Sequence, residues 1–317
     1  MDDLKIRVGV SSCLLGREVR FDGGHKRDRF LTDVLGRFVE WVPVCPEVEV
    51  GMGVPRESVR LVRRGGRIRM IAERSGADHT DSMTSWARRR VRQLEAMELC
   101  GYILKKSSPS CGMDRVRIYE ANGMPSRAGR GLFADELIRH FGRLPVEEEG
   151  RLGDASLREN FIERVFAYAR LRSLFGGRWR GRDLIEFHAA HKLQLMAHAP
   201  ARYRELGRLV ADCKGKKPSE LRAAYEQLFM EALERKATVR RHVNVLQHMI
   251  GYFSASLDDA SRAEMHRLVD EYGAELVPLI APLTMVRHYV RKFRIAYLAQ
   301  QRYLDPYPKQ LMPPSLP

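Results

Sequence analysis

Residues 81–111 read DSMTSWARRRVRQLEAMELCGYILKKSSPSC. Asp81 and Ser82 are residues of N-capping type, and the apolar positions behind them recur at helical spacing, which predicts a helix over 81–99. GYILKK (101–106) then changes the period. It is short, apolar and opened by glycine, as a buried strand is. The same pattern appears upstream in KIRVGV (5–10), FVEWVPV (38–44) and RIRMIAE (67–73), and downstream in VRIYEA (116–121). A strand, a helix of this length and another strand form a βαβ unit, so the N-terminal part is predicted to be an α/β domain, a mostly parallel sheet flanked by helices. RIRMIAE has a second reading, as one arm of a hairpin around Arg64-Gly65-Gly66.

Beyond about residue 150 the strand signals stop. EEEGRLGDAS (147–156) is polar and turn-rich and is read as a linker. Helical patterns follow over 157–175, 182–198, 200–213, 218–236, 238–254, 258–273 and 276–303, the last interrupted by Pro278 and Pro282. The expected organisation is an α/β domain over 1–150 and an all-α helical domain over 151–317.

Hydrophobic residues make up 44% of the chain and charged residues 30%, a balance that sustains packed cores and excludes a disordered chain. No apolar run reaches the length of a membrane span, and MDDLKIRVGV lacks the basic start of a signal peptide, so a cytoplasmic location without membrane attachment is expected. Thiols stay reduced there, so the five cysteines point to metal binding or catalysis before disulfides. The net charge is +15. Residues 1–150 carry 27 basic and 22 acidic side chains, and residues 151–317 carry 28 and 18, so the helical half holds most of the surplus. Such a surplus suits a phosphate-rich partner, nucleic acid first; a generally basic, solvated surface is the plain alternative.

Cys13, Cys45 and Cys111 each fall just beyond a predicted strand. Ligands of open parallel sheets sit at the C-terminal ends of the strands, so three thiols far apart in sequence can converge there. Zinc sites favour four ligands in paired short spacings, which this chain lacks; iron–sulfur clusters are bound by thiolates, and three ligands would leave one iron open to substrate. Buried structural cysteines are the competing reading, to which Cys100 and Cys213 are left.

The segments SSCLLGREVRFDG (11–23), PVCPEVEVGMGVPRE (43–57) and LKKSSPSCG (104–112) resemble the thiouracil desulfidase family, TudS. LIEFHAAHKLQLMAHAPARYRELGRLV (184–210), NVLQHMIGYF (244–253), VPLIAPLTMVRHYV (277–290) and QRYLDPYP (301–308) resemble the YbgA-type domain. The combination is similar to RudS-type enzymes, desulfidases of 4-thiouridine in tRNA. The resemblance implies a 4Fe–4S cluster with three cysteine ligands, Cys13, Cys45 and Cys111, and one open iron that takes the sulfur as 4-thiouridine becomes uridine. It implies catalytic roles for Glu47 and Ser108, and places Asp22 and Arg56 at motif positions suited to substrate binding. Plainer readings stand beside these: Glu47 caps a helix or pairs with Arg56, Ser108 shapes the Ser107-Ser108-Pro109 turn, and Asp22-Gly23 is a turn pair.

For the helical half the expected partner is thiolated tRNA, with no protein partner inferred. Candidate phosphate contacts are Lys216, Lys217, Arg240, Arg241 and Arg287, extended on the first domain by Arg88 and Arg89. Tyr252, Tyr289, Tyr303 and Tyr307 either stack on bases or fill the helical core. His188, His191 and His198 fall on one predicted helix face; packing histidines are favoured over a zinc site, since no H-E-x-x-H pattern accompanies them. Two other functions remain open at this point: desulfidation of free thiouracil, and a non-catalytic, metal-containing nucleic-acid-binding protein.

Overall fold

The computed structural model describes residues 5–120 and 123–312. Two compact units divide the chain, residues 1–169 and 170–317, each with its own core. The first is α/β and the second mostly helical, as the periodicities predict.

The α/β unit contains two sheets. The first comprises β1 (Arg7–Ser11), β2 (Glu40–Val44), β5 (Gly101–Leu104) and β8 (Val146–Glu148), all parallel, in the order β2-β1-β5-β8. The second comprises β3 (Val59–Arg64), β4 (Arg67–Ala72), β6 (Val116–Tyr119) and β7 (Pro125–Gly129), in the order β4-β3-β6-β7. There β3 and β4 form the antiparallel hairpin that was the second reading of RIRMIAE, β3 and β6 are parallel, and β6 and β7 are antiparallel. Gly65 and Gly66 both have positive φ (56° and 75°), the conformation a two-residue hairpin turn requires and side chains resist. Of the expected strand 116–121, Ala121 lies outside the described residues.

Helices α1 (Pro46–Glu49), α2 (Thr80–Glu95), α3 (Leu132–Phe141) and α4 (Ala155–Phe175) complete this region. Helix α2 begins earlier than the expected Asp81. Thr80 already bonds through its N–H to the Asp78 carboxylate, 2.9 Å, which anchors the first turn. The core gathers Val44, Leu61, Met70, Trp86, Tyr102 and Phe133, with Trp86 and Phe133 at 5.4 Å between ring centroids. The stretch read as a linker starts inside β8. Glu147 and Glu148 are buried there, the first bonded to Arg151 and the second accepting the Met113 N–H, so charge did not mean exposure.

The second unit continues from the end of α4 through α5 (Gly181–Ala190), α6 (Lys192–His198), α7 (Pro200–Ala211), α8 (Pro218–Glu234), α9 (Val239–Ile250), α10 (Asp259–Gly273), α11 (Ile280–Lys292) and α12 (Ala296–Ala299). The expected helix over 182–198 is broken at His191, whose φ of −98° and ψ of 3° leave the helical region. Its ring stacks on Phe187 at 4.0 Å and its Nδ1 lies 2.8 Å from the Phe187 carbonyl, a side chain competing for a backbone acceptor. Pro282 occupies the first turn of α11, where its missing N–H costs nothing, and so does not interrupt that helix. Among the described residues, no helix is long and apolar enough to cross a membrane.

Candidate active site

The parallel sheet places the three cysteine loops together. Register pairs Ser11 with Val44 and Val10 with Ile103, so β1, β2 and β5 end along one edge. The chain leaves β1 on one side for β2 and comes back to its other side for β5, which is where loops diverge and open a crevice. Cys13 sits in a 3-10 turn, Ser12–Leu15, closed by Gly16 at φ 86°. Cys45 directly follows β2 and precedes Pro46 at the first position of α1, where proline's fixed φ suits a helix start; the Cys45 N–H donates to Glu49 Oε1, 3.1 Å.

Cys111 lies seven residues beyond β5, and its loop is positioned from elsewhere. The first turn of α3 has no side-chain cap. Its N–H groups donate instead to the loop's carbonyls: Gly131 to Gly112 (2.8 Å), Leu132 to Pro109 (3.1 Å), and Phe133 and Ala134 to Ser110 (3.0 and 3.1 Å). These are the donors a helix cannot satisfy internally, so loop and helix start complete each other. The fit is close. A Cβ on Gly131 would lie 2.5 Å from the Ser110 carbonyl carbon and 2.8 Å from the Cys111 nitrogen. At the other end of the loop, Glu149 accepts the Lys106 N–H at 2.7 Å and pairs with the Lys105 ammonium.

Cys13, Cys45, Cys111, Glu47, Arg56 and Ser108 all line one cavity of about 360 Å³, with Ser12, Phe21 and the cations Arg20, Lys26, Lys105 and Lys106. Glu47 is held at both oxygens. Arg56 Nε donates to Oε2 at 3.0 Å, with the guanidinium Nη2 on the same atom, and the Ser110 hydroxyl donates to Oε1 at 2.7 Å. Arg56 is itself fixed by the carbonyls of Val19 and Gly53, each 3.0 Å away. The pairing of Glu47 with Arg56, one of the plainer readings, is therefore present inside the cavity. Ser108 Oγ accepts N–H groups from Ser110 (3.2 Å) and Cys111 (3.1 Å), which occupies both its lone pairs and leaves the hydroxyl hydrogen free to donate.

Burial pushes all three thiols up. Cys13 reaches about 11, with Lys105 pulling the other way; Cys45 is raised; Cys111 is raised well above the ordinary thiol range despite a hydrogen bond from Ser11. Thiols so placed are protonated alone and become ligands only when a cation compensates the thiolate. No three His, Cys, Asp or Glu side chains among the described residues are grouped so as to hold a single metal ion. Three soft donors spread around a cavity of this size fit a cluster of several irons, and the surrounding cations suit its negative charge. Cys100 is not at the cavity: its Sγ faces the Glu98 carbonyl at 3.8 Å.

Ser110 went unnoticed in the sequence, where it is one of three serines around a proline; its complete burial and its bond to Glu47 distinguish it. Asp22 is exposed and does not line the cavity. The Gly24 N–H bonds it at 3.0 Å and holds its carboxyl below the ordinary range, the signature of the turn reading.

The helical candidates fare unevenly. Arg240 is exposed; Arg241 donates to the His198 carbonyl; Lys216 and Lys217 are exposed beside Asp212 and Glu220, at 3.4 and 3.6 Å. Arg287 is corrected: it is 8% exposed, and its guanidinium bonds the Leu304 carbonyl, so it serves the core. Tyr289, Tyr303 and Tyr307 are buried, leaving Tyr252 exposed. Each histidine has its own neighbour: His188 meets the Tyr225 hydroxyl at 3.2 Å, His191 the Phe187 carbonyl, and His198 the Arg235 carbonyl at 2.7 Å. On the first unit, Arg88 and Arg89 are exposed, paired with Glu136 and Ser85.

Residues 8–149 match the family model described as 2-thiouracil desulfurase, and residues 192–308 match DUF1722, a protein family of unknown function. The uncharacterized protein YbgA of Escherichia coli K12 is 35% identical over 153 residues, 48% of this chain and 90% of that protein. The uncharacterized protein YbbK of Bacillus subtilis 168 is 31% identical over 108 residues, 32% of this chain and 71% of that protein. A solved [4Fe-4S]-dependent thiouracil desulfidase, TudS, is 31% identical, spanning 50% of this chain and all of its own, with a TM-score of 0.39. The chain thus belongs to the 2-thiouracil desulfurase family through its α/β part, joined to a helical part of the YbgA family.

Proposed function

We propose that this protein is an iron–sulfur-dependent desulfidase that converts 4-thiouridine in tRNA to uridine, releasing sulfide as water supplies the ring oxygen. The observation that carries it is one cavity lined by three thiols and a carboxylate bonded at both oxygens. When bound by Cys13, Cys45 and Cys111, a 4Fe–4S cluster supplies a soft Lewis acid for the thiocarbonyl sulfur.

The chain's own residues do the rest. Two of Glu47's four lone-pair sites, both on Oε2, are taken by Arg56, and one on Oε1 is taken by Ser110. The remaining site on Oε1 accepts a proton from the water that attacks the ring carbon. Arg56 and Ser110 keep the carboxylate from rotating, and Ser108 offers its hydroxyl hydrogen to the substrate. The net charge of +15 supports RNA as the carrier of the base.

The test is mass spectrometry of nucleosides from thiolated tRNA, before and after incubation with anaerobically reconstituted protein. Conversion of 4-thiouridine to uridine is the expected result. Turnover of free thiouracil with tRNA untouched would overturn the tRNA part alone, and absence of turnover on both would overturn the activity.

A further inference from the structure

Beside the cysteine cavity runs a second, larger groove of about 690 Å³ over the outer face of the sheet β4-β3-β6-β7. The two share Val59, Lys106, Ser107 and Pro109, so they meet at the loop that carries Cys111. Strand alternation explains the groove's character. Leu61 and Ile118 are paired in register and buried in the core, so their neighbours Arg60 and Arg117 face outward and are exposed. Arg117 is in register with Arg127 on β7, also exposed. Like charges directly opposite across two strands weaken a sheet, so this pair works against folding. Neither arginine, nor Arg60, forms an ion pair among the described residues; Arg60 lies over the Tyr119 ring at 5.0 Å. Two of the groove's acids are engaged elsewhere, Glu73 by Ser58 and Glu148 by the Met113 N–H.

We propose that this arginine face is the docking surface for the phosphate backbone of the RNA whose thiolated base enters the cysteine cavity. The inference rests on the tRNA reading above and adds that the α/β unit itself grips the RNA. A base reaching the cavity brings flanking phosphates with it, and exposed guanidiniums beside the mouth neutralise them.

The experiment measures binding of sulfur-free tRNA to the full chain across a salt series, for the wild type and for Arg117→Glu/Arg127→Glu. Because the probe carries no sulfur, its outcome is independent of whether tRNA is a substrate. The expected result is an affinity loss of about tenfold or more and a shallower salt dependence, by about 2 in log–log slope, with turnover of free thiouracil unchanged. Arg117→Gln/Arg127→Gln is expected to lose less, in the same direction, and guards against a reversal variant that fails to fold. Undiminished tRNA affinity in both folded variants would overturn the proposal. So would wild-type binding to polyglutamate as tight as to tRNA, which would mark the face as a dock for acidic protein.

Discussion

At the scale of single residues, substitutions at Glu47 and Ser110 test the proposed catalysis apart from cluster binding. Glu47→Ala is expected to keep the visible absorption of the reconstituted cluster and lose turnover of free thiouracil by about 10²–10⁴-fold. Cys13→Ala, Cys45→Ala and Cys111→Ala should each fail to hold the cluster, read from the same spectrum and from iron content; a fully active Cys111→Ala enzyme would remove the assignment. Ser110→Ala leaves Oε1 without its donor, so kcat should fall while the spectrum stays. The sequence displayed Glu47 and the cysteines because they stand in family motifs, and of the candidate site residues in those motifs Cys13, Cys45, Cys111, Glu47, Arg56 and Ser108 line the cavity while Asp22 does not. Ser110 was not legible. A serine bonded to a carboxylate 63 positions away has no local signature.

At the scale of elements, the break between α5 and α6 carries a pH prediction. Burial lowers His188 to about 4 and His191 to about 3, against an ordinary value near 6.5. Between those values the unfolded chain binds protons that the folded one refuses. Stability is therefore complete above about pH 6.5 and falls as pH drops toward 4 and then 3, by about 1.4 kcal/mol per pH unit for each histidine. Thermal melts of the full chain across pH 7 to 4 should show the fall, and His191→Phe should make it shallower. A second element-scale prediction concerns the start of α3. Gly131→Ala places a methyl group against the backbone of Ser110 and Cys111, so the loop must move; reduced cluster retention at an unaltered cysteine count would report it. Three strands of the parallel sheet, β1, β2 and β5, were readable from their apolar runs. The unread ones have physical reasons. The strand β3 reads VRLVRR, and its arginines mask the alternation; β7 is Pro-Ser-Arg-Ala-Gly on a sheet edge; β8 is three residues long with two buried glutamates.

At the scale of the whole molecule, binding to tRNA should be strongly salt-dependent. Six phosphate contacts would lose about 10³-fold in affinity between 50 and 200 mM salt, measurable by anisotropy. The two-part organisation was legible because the hydrophobic period changes from 2 to 3.6 near residue 150. Of the second sheet only the β3-β4 hairpin was legible, since the pairing of Leu61 with Ile118 joins distant segments whose order no local pattern encodes. The attachment of the Cys111 loop to α3 and to Glu148 and Glu149 also sets a timetable for the chain during synthesis. When Cys111 leaves the ribosome, all three thiols exist but the third has no fixed place, because its anchors are residues 131–134 and 148–149. On the proposed function, iron delivered to a nascent chain before that point would meet three loose thiols, and loading would follow the emergence of the whole α/β part.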